Sequence, residues 1–150
     1  MLNSKGICNN IEEVYEKINK ILNNDIELIK EIIEETYGYN VYPDIFQIVR
    51  WFDGTEQPVH ADGCNMDGSS NNLTWREFGS ILYLNDDYTG GEIVYTEKNI
   101  TYKPRAGTMI FHPGSLEYKH GVKKVIQGTR YVMTGFIWDG MMLYKKLGGK

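Results

Sequence analysis

The chain has 150 residues, 41% of them hydrophobic and 24% charged, with a formal net charge of −4. That length and apolar content suit one domain, residues 1–150, with a real core, and the acidic balance weighs against a general nucleic-acid surface, leaving only a local basic patch at Lys119, Lys123 and Lys124. Two cysteines, Cys8 and Cys64, make no disulfide framework, and no apolar run reads as a leader or a membrane span, so a soluble protein of the reducing cytoplasm is expected.

The opening 40 residues read as helical support. Ile11, Val14, Tyr15, Ile18, Ile21 and Leu22 recur at helical spacing, and Ile26, Ile29, Ile32 and Ile33 do so again after Asn23-Asn24-Asp25. Two amphipathic helices are predicted, the second capped by Asn24 or Asp25 and closed at Gly38. Their glutamates form a solvated face. From residue 41 the texture changes to short apolar or alternating runs: FQIVRWF, GSILYLN, GEIVYTE, ITYKP, TMIFHP, YKHGVKKV and RYVMTGFIW. Turn signals separate them at Asp53-Gly54, Asn85-Asp86-Asp87, Gly90-Gly91, Arg105-Ala106-Gly107 and Gln127-Gly128. Such grammar predicts a mainly β fold, a two-sheet sandwich or jelly roll packed on two or more N-terminal helices, and excludes a parallel doubly wound sheet. Gly63 to Trp75, rich in Asn, Ser, Gly and Asp, reads as an exposed loop placed to cover a site and to order on ligand binding.

The chemistry-bearing pattern is His60-Ala61-Asp62, followed by His120 and then Arg130. A histidine and a carboxylate two apart on an extended segment project to one side, and a second histidine from another strand completes a two-histidine, one-carboxylate face. Three protein ligands on one face leave the other open, as in non-heme Fe(II) oxygenases and unlike closed structural zinc sites. His112 is the competing downstream histidine, but it ends an apolar strand before Pro113-Gly114 and reads as structural or near the site.

The run from Ile48 to Trp138 resembles the 2-oxoglutarate and Fe(II) dependent dioxygenases of the prolyl hydroxylase type, prolyl 4-hydroxylase in particular. The resemblance rests on His60-x-Asp62, Arg76, the strand at 81–85 (ILYLN), Gly90-Gly91-Glu92, Pro104-x-x-Gly107, His120 and Thr129-Arg130-Tyr131, all in order. It implies a double-stranded β-helix with N-terminal helices packed against its larger sheet. It also implies Fe(II) on His60, Asp62 and His120, and 2-oxoglutarate anchored by Arg130, a planar and always charged fork suited to a carboxylate. Tyr83 and Thr134 are the further co-substrate contacts, and Arg76, Trp51 and Trp138 the candidate substrate contacts, with Trp75 and Tyr95 as added aromatic surface. Dioxygen is the oxidant, and ascorbate is expected to act only by rescuing oxidised iron.

The chain departs from the family pattern at Gln57, where an aromatic is common, at Gly79, where a threonine is common, and at Phe136, where a tryptophan is common. Those changes touch the peptide side and leave the ligand set whole. The expected activity is hydroxylation of prolyl residues in a peptide or protein, with release of succinate and CO2. The alternatives are the same iron chemistry on a free amino acid, another side chain or a nucleobase, and a non-catalytic metal-containing jelly-roll binding module; fold alone does not choose among them.

Overall fold

The computed structural model of the chain describes residues 11–140, and Cys8 lies outside them. Two compact units result, Met1–Tyr39 and Asn40–Lys150. The first contains α1 (Ile11–Tyr37), a single helix of 27 residues. The expected break at Asn23-Asn24-Asp25 does not occur, and neither Asn24 nor Asp25 caps a second helix. Asn and Asp each cost a helix interior only some tenths of a kcal/mol, and the segment holds no Gly or Pro. Asn23 and Asn24 point to solvent, while the apolar stripe runs on through Ile26 to the buried Ile29 and Ile33. Gly38 ends the helix as read from the sequence, at φ +75° with its N–H on the Glu34 carbonyl.

The second unit is antiparallel β structure throughout. One sheet has the order β1 (Val41–Trp51), β10 (Arg130–Asp139), β3 (Phe78–Tyr83) and β7 (Met109–Pro113). A smaller one has the order β2 (Gln57–His60), β8 (His120–Val122), β5 (Ile93–Tyr95) and β6 (Ile100–Tyr102). A short ribbon pairs β4 (Thr89–Gly90) with β9 (Val125–Gln127). This is the jelly roll expected from the strand texture, with one helix among the described residues where at least two were expected. No helix among the described residues is long and apolar enough to cross a membrane.

Register decides which side chains share the interior. Trp51 is opposite Arg130, Val49 opposite Val132 and Gln47 opposite Thr134. Tyr83 also meets Val132, Ile81 meets Thr134, and Gly79 meets both Phe136 and His112. Because side chains alternate faces along a strand, these residues line one face of the larger sheet. Tyr83, Ile81 and Val132 are buried there with Ile93 and Tyr95 of the smaller sheet, forming the core that joins the two layers.

The opposite face of β10 has its own steric rule. Gly135 is opposite Phe46, and a Cβ added to Gly135 would sit 2.2 Å from the Phe46 ring. Gly135→Ala should therefore lower stability by about 1–3 kcal/mol through overpacking, measured by denaturant titration. Adding Phe46→Ala to that variant should make the pair cost less than the sum of the two single changes.

Candidate metal and co-substrate site

His60 ends β2 and His120 begins β8, directly opposite each other in the smaller sheet. Asp62 follows two residues after His60, with its side chain buried. One ligand atom from each of His60, Asp62 and His120 lies within 4.8 Å of the other two. Backbone carbonyls fix the ring orientations: His60 Nδ1 is 3.0 Å from Pro58 O and His120 Nδ1 is 3.1 Å from Tyr118 O. With Nδ1–H donating in each ring, both Nε2 lone pairs are left for an ion, as in metal-ligating histidines generally. Gln57 Nε2 stands 3.2 Å from His60 Nε2 and donates to that lone pair. Asp62 Oδ1 lies 3.6 Å from His60 Nε2, whereas Oδ2 turns away toward His112 Nδ1 at 3.8 Å.

The donor set fits a divalent ion. Contact with the Asp62 carboxylate raises His60 above its ordinary value against the opposing effect of burial. Burial acts to raise Asp62, but its contact with His60 and the charges of the three imidazoles bring it below the usual carboxylate range. The pair thus favours a cation between them. His120 is pushed down to about 4 by burial and by the neighbouring His112, so it is a neutral ligand at physiological pH.

A cavity of about 350 Å³ opens beside these three residues, walled by Trp51, Arg76, Ile81, Thr134 and Phe136. Arg130 lies behind Trp51, its Cζ 4.9 Å from the Trp51 ring and 5.0 Å from the Tyr83 ring. The guanidinium is 1% exposed, and its Nε and Nη1 have no hydrogen-bond partner. Asn85 clamps the backbone around it: Nδ2 donates to Thr129 O at 2.7 Å, and Oδ1 accepts from Tyr131 N at 2.7 Å. The hydroxyls of Tyr83 and Tyr88 and the Trp51 Nε1 are likewise buried without partners. Buried donors without partners around a cation suit an anion.

A family model described as the 2OG-Fe(II) oxygenase superfamily matches residues 46–138. The chain belongs to the 2OG-Fe(II) oxygenase superfamily. Over 103 residues it is 40% identical to prolyl 3-hydroxylase 2 of Rattus norvegicus and of Homo sapiens, a stretch covering 60% of this chain and 14% of those proteins. Over 85 residues it is 35% identical to prolyl 3-hydroxylase 3 of Homo sapiens, covering 49% and 12%. The chain therefore spans about one-seventh of the length of the first of these relatives. Among solved structures, the viral collagen prolyl hydroxylase of Paramecium Bursaria Chlorella virus-1, in its 2OG complex, superposes with a TM-score of 0.61 at 22% identity, covering 88% of this chain and 76% of that one. A 2OG-Fe(II) oxygenase family oxidoreductase from Burkholderia pseudomallei gives 0.60 at 21% identity, covering 73% and 49%. At those identities the likeness shows the fold, the double-stranded β-helix of this superfamily.

Within that superfamily frame, the remaining residues singled out in the sequence fall into two groups. Thr134, Trp51 and Arg76 line the cavity, with the Arg76 Cζ 3.6 Å from the centre of the Phe136 ring. Tyr83 is fully buried beside Arg130. Trp138 does not line the cavity; it packs on Trp75, ring centres 5.4 Å apart. Tyr95 is buried against the rings of His112 and His120, so it presents no free aromatic face. His112 is 4.3 Å from His120, ring to ring, and lines the cavity, which places it near the site. The loop after Asp62 is exposed as expected and carries its own hydrogen bonds, Asn65 to Ser69 and Ser69 to Asp67. Asn85, Gln57 and Tyr88 are the site residues whose roles the sequence reading missed.

Gly79 determines how Asp62 fits. A Cβ there would lie 2.4 Å from Asp62 Oδ2 and 3.0 Å from the His112 ring. Gly79→Ala should displace the carboxylate and weaken divalent-ion binding at least about tenfold, measured by equilibrium dialysis against Co(II). In metal-stripped protein, His120 refuses a proton that the unfolded chain accepts below its ordinary 6.5. Stability should therefore hold above about pH 6.5 and fall between about 6.5 and 4, by on the order of 3 kcal/mol from this residue. The buried His112, also pushed down by burial, acts in the same direction, while the raised His60 offsets part of the loss. Denaturant midpoints at about pH 7.5 and 4.5 check this, and His120→Asn should flatten the dependence.

Proposed function

We propose that this chain carries a 2-oxoglutarate- and Fe(II)-dependent dioxygenase activity that hydroxylates prolyl residues in a peptide or protein, with release of succinate and CO2. The observation that carries the reading is the buried guanidinium of Arg130, its Nε and Nη1 without a hydrogen-bond partner, one indole away from a cavity bordered by His60, Asp62 and His120. A dicarboxylic keto acid has an end for each: a keto-carboxylate to chelate an ion and a distal carboxylate for the arginine fork.

His60, Asp62 and His120 would hold the iron, which when bound supplies the dioxygen activation that no side chain performs. His60 and His120, oriented by the Pro58 and Tyr118 carbonyls, offer Nε2 and leave the opposite face free. Arg130 pairs with the distal carboxylate and sets the direction in which the keto acid lies. Tyr83 adds a phenolic donor beside it, and Thr134 lines the approach. The apolar walls Trp51, Ile81 and Phe136 exclude water from the reacting atoms. Arg76, held over Phe136, faces the same cavity and is the group to meet the polar backbone of an incoming peptide.

The prolyl assignment is supported by the relatives named prolyl 3-hydroxylases, 40% identical over 103 residues. Cytoplasmic residence, and ascorbate as a reductant that only rescues oxidised iron, belong to the same proposal.

Incubation of proline-containing peptides with the protein, Fe(II), 2-oxoglutarate and oxygen should add one oxygen atom, read by mass spectrometry. Amino-acid analysis of the product distinguishes 3- from 4-hydroxyproline. No added oxygen across a broad peptide panel, with 2-oxoglutarate still decarboxylated, would move the substrate elsewhere while keeping the chemistry. Arg130→Ala should weaken 2-oxoglutarate binding by about 2–5 kcal/mol, and a change below about 0.5 kcal/mol would place the anchor at another residue.

A further inference from the structure

The receptor around Arg130 contains one more polar group than the reading above uses. Tyr88 lies just ahead of β4, its side chain is 3% exposed, and its hydroxyl is buried without a hydrogen-bond partner. A Cβ built on Gly91 would lie 3.0 Å from Tyr88 Cε2 and 3.2 Å from Arg130 Cδ, so the phenol ring and the arginine stem lie across the same glycine. Gly91 has φ +68°, a backbone that other residues rarely adopt, and its missing side chain leaves the two in reach of each other. Lys103 also holds the ring, with Nζ 4.6 Å from the ring centre and a hydrogen bond donated to the Tyr88 carbonyl. A carboxylate offers about four acceptor positions. An arginine fork fills two of them and Tyr83 a third.

We propose that the Tyr88 hydroxyl is the remaining donor to the distal carboxylate of the co-substrate, and so a specificity-determining residue for a keto acid that ends in a carboxylate. This rests on the co-substrate reading given above. Burial raises the Tyr88 phenol while the Arg130 guanidinium opposes that rise, and the result keeps the hydroxyl protonated and able to donate. Tyr83 has the same two influences in the same order, which makes the two phenols a matched pair about one cation.

The test uses the Zn(II)-loaded protein and calorimetry, so that binding is read without turnover. Two ligands are compared: 2-oxoglutarate, and 2-oxopentanoate, which has the same chelating end and a methyl group where the distal carboxylate would be. The natural chain should prefer 2-oxoglutarate, and Tyr88→Phe should cut that preference about tenfold by weakening 2-oxoglutarate while leaving 2-oxopentanoate unchanged. Equal weakening of both ligands would make Tyr88 a packing residue, and no change in either would leave its hydroxyl without a ligand; each outcome overturns the proposal. Arg130→Ala separates the two levels. If it abolishes the preference while Tyr88→Phe does not, only the Tyr88 role falls, and if it too leaves the preference intact, the co-substrate reading falls with it.

Discussion

A guanidinium with 1% exposure and no partner for its Nε and Nη1 is a cost that a fold of this size feels. A charge stripped of water and left unpaired costs several kcal/mol, so the surrounding structure must hold Arg130 in place against its own tendency to escape. Three features do this. Arg130 starts β10, which hydrogen-bonds to β1 on one side and β3 on the other. The Asn85 side chain holds the backbone on both sides of it. The π faces of Trp51 and Tyr83 give partial compensation. The donors are thus held in place without a ligand, and on the reading proposed above that would lower what anion binding must spend on ordering.

The two layers divide the chemistry. The candidate ion ligands come from the smaller sheet and the turn after β2, while Arg130 and most of the cavity wall come from the larger sheet. The layers meet at Gly79, where the outer oxygen of Asp62 rests against bare backbone and the His112 imidazole takes the space that a side chain would need. Orientation of the carboxylate and composition of the wall are therefore coupled through one position.

Much of this was legible in the sequence because strand periodicity converts spacing into direction. His60 and Asp62 share a side, and so do Arg130 and Thr134, without any knowledge of the partner strands. The order of His60, Asp62, His120 and Arg130 then needed only two sheets to bring it together. What stayed hidden depends on register or on close approach. Gly79 has meaning only once it is opposite His112 and beside Asp62. Tyr88 reads as a loop residue until the Gly91 turn carries it to Arg130, and Asn85 reads as a turn former although both ends of its amide are spent on β10 and the residue before it. The helix went the other way: Asn23-Asn24-Asp25 has turn chemistry locally, but two exposed asparagines and a half-buried aspartate with modest propensity penalties do not interrupt an apolar stripe that continues beyond them.

The separation of ion ligands and arginine onto opposing sheets has a mechanical consequence. A small dicarboxylate gripped at one end by each layer, as proposed above, would act as a tie rod across the sandwich, adding a cross-link to the apolar core and the Asp62–His112 contact that already join the layers. Decarboxylation, on the reading proposed above, would trim only the chelating end of that rod, leaving its reach between the layers unchanged but its grip on the ion reduced to the new carboxylate. Exchange of the spent molecule for a fresh keto acid would then turn on the weakened grip at the ion end, with the spacing of the layers unchanged.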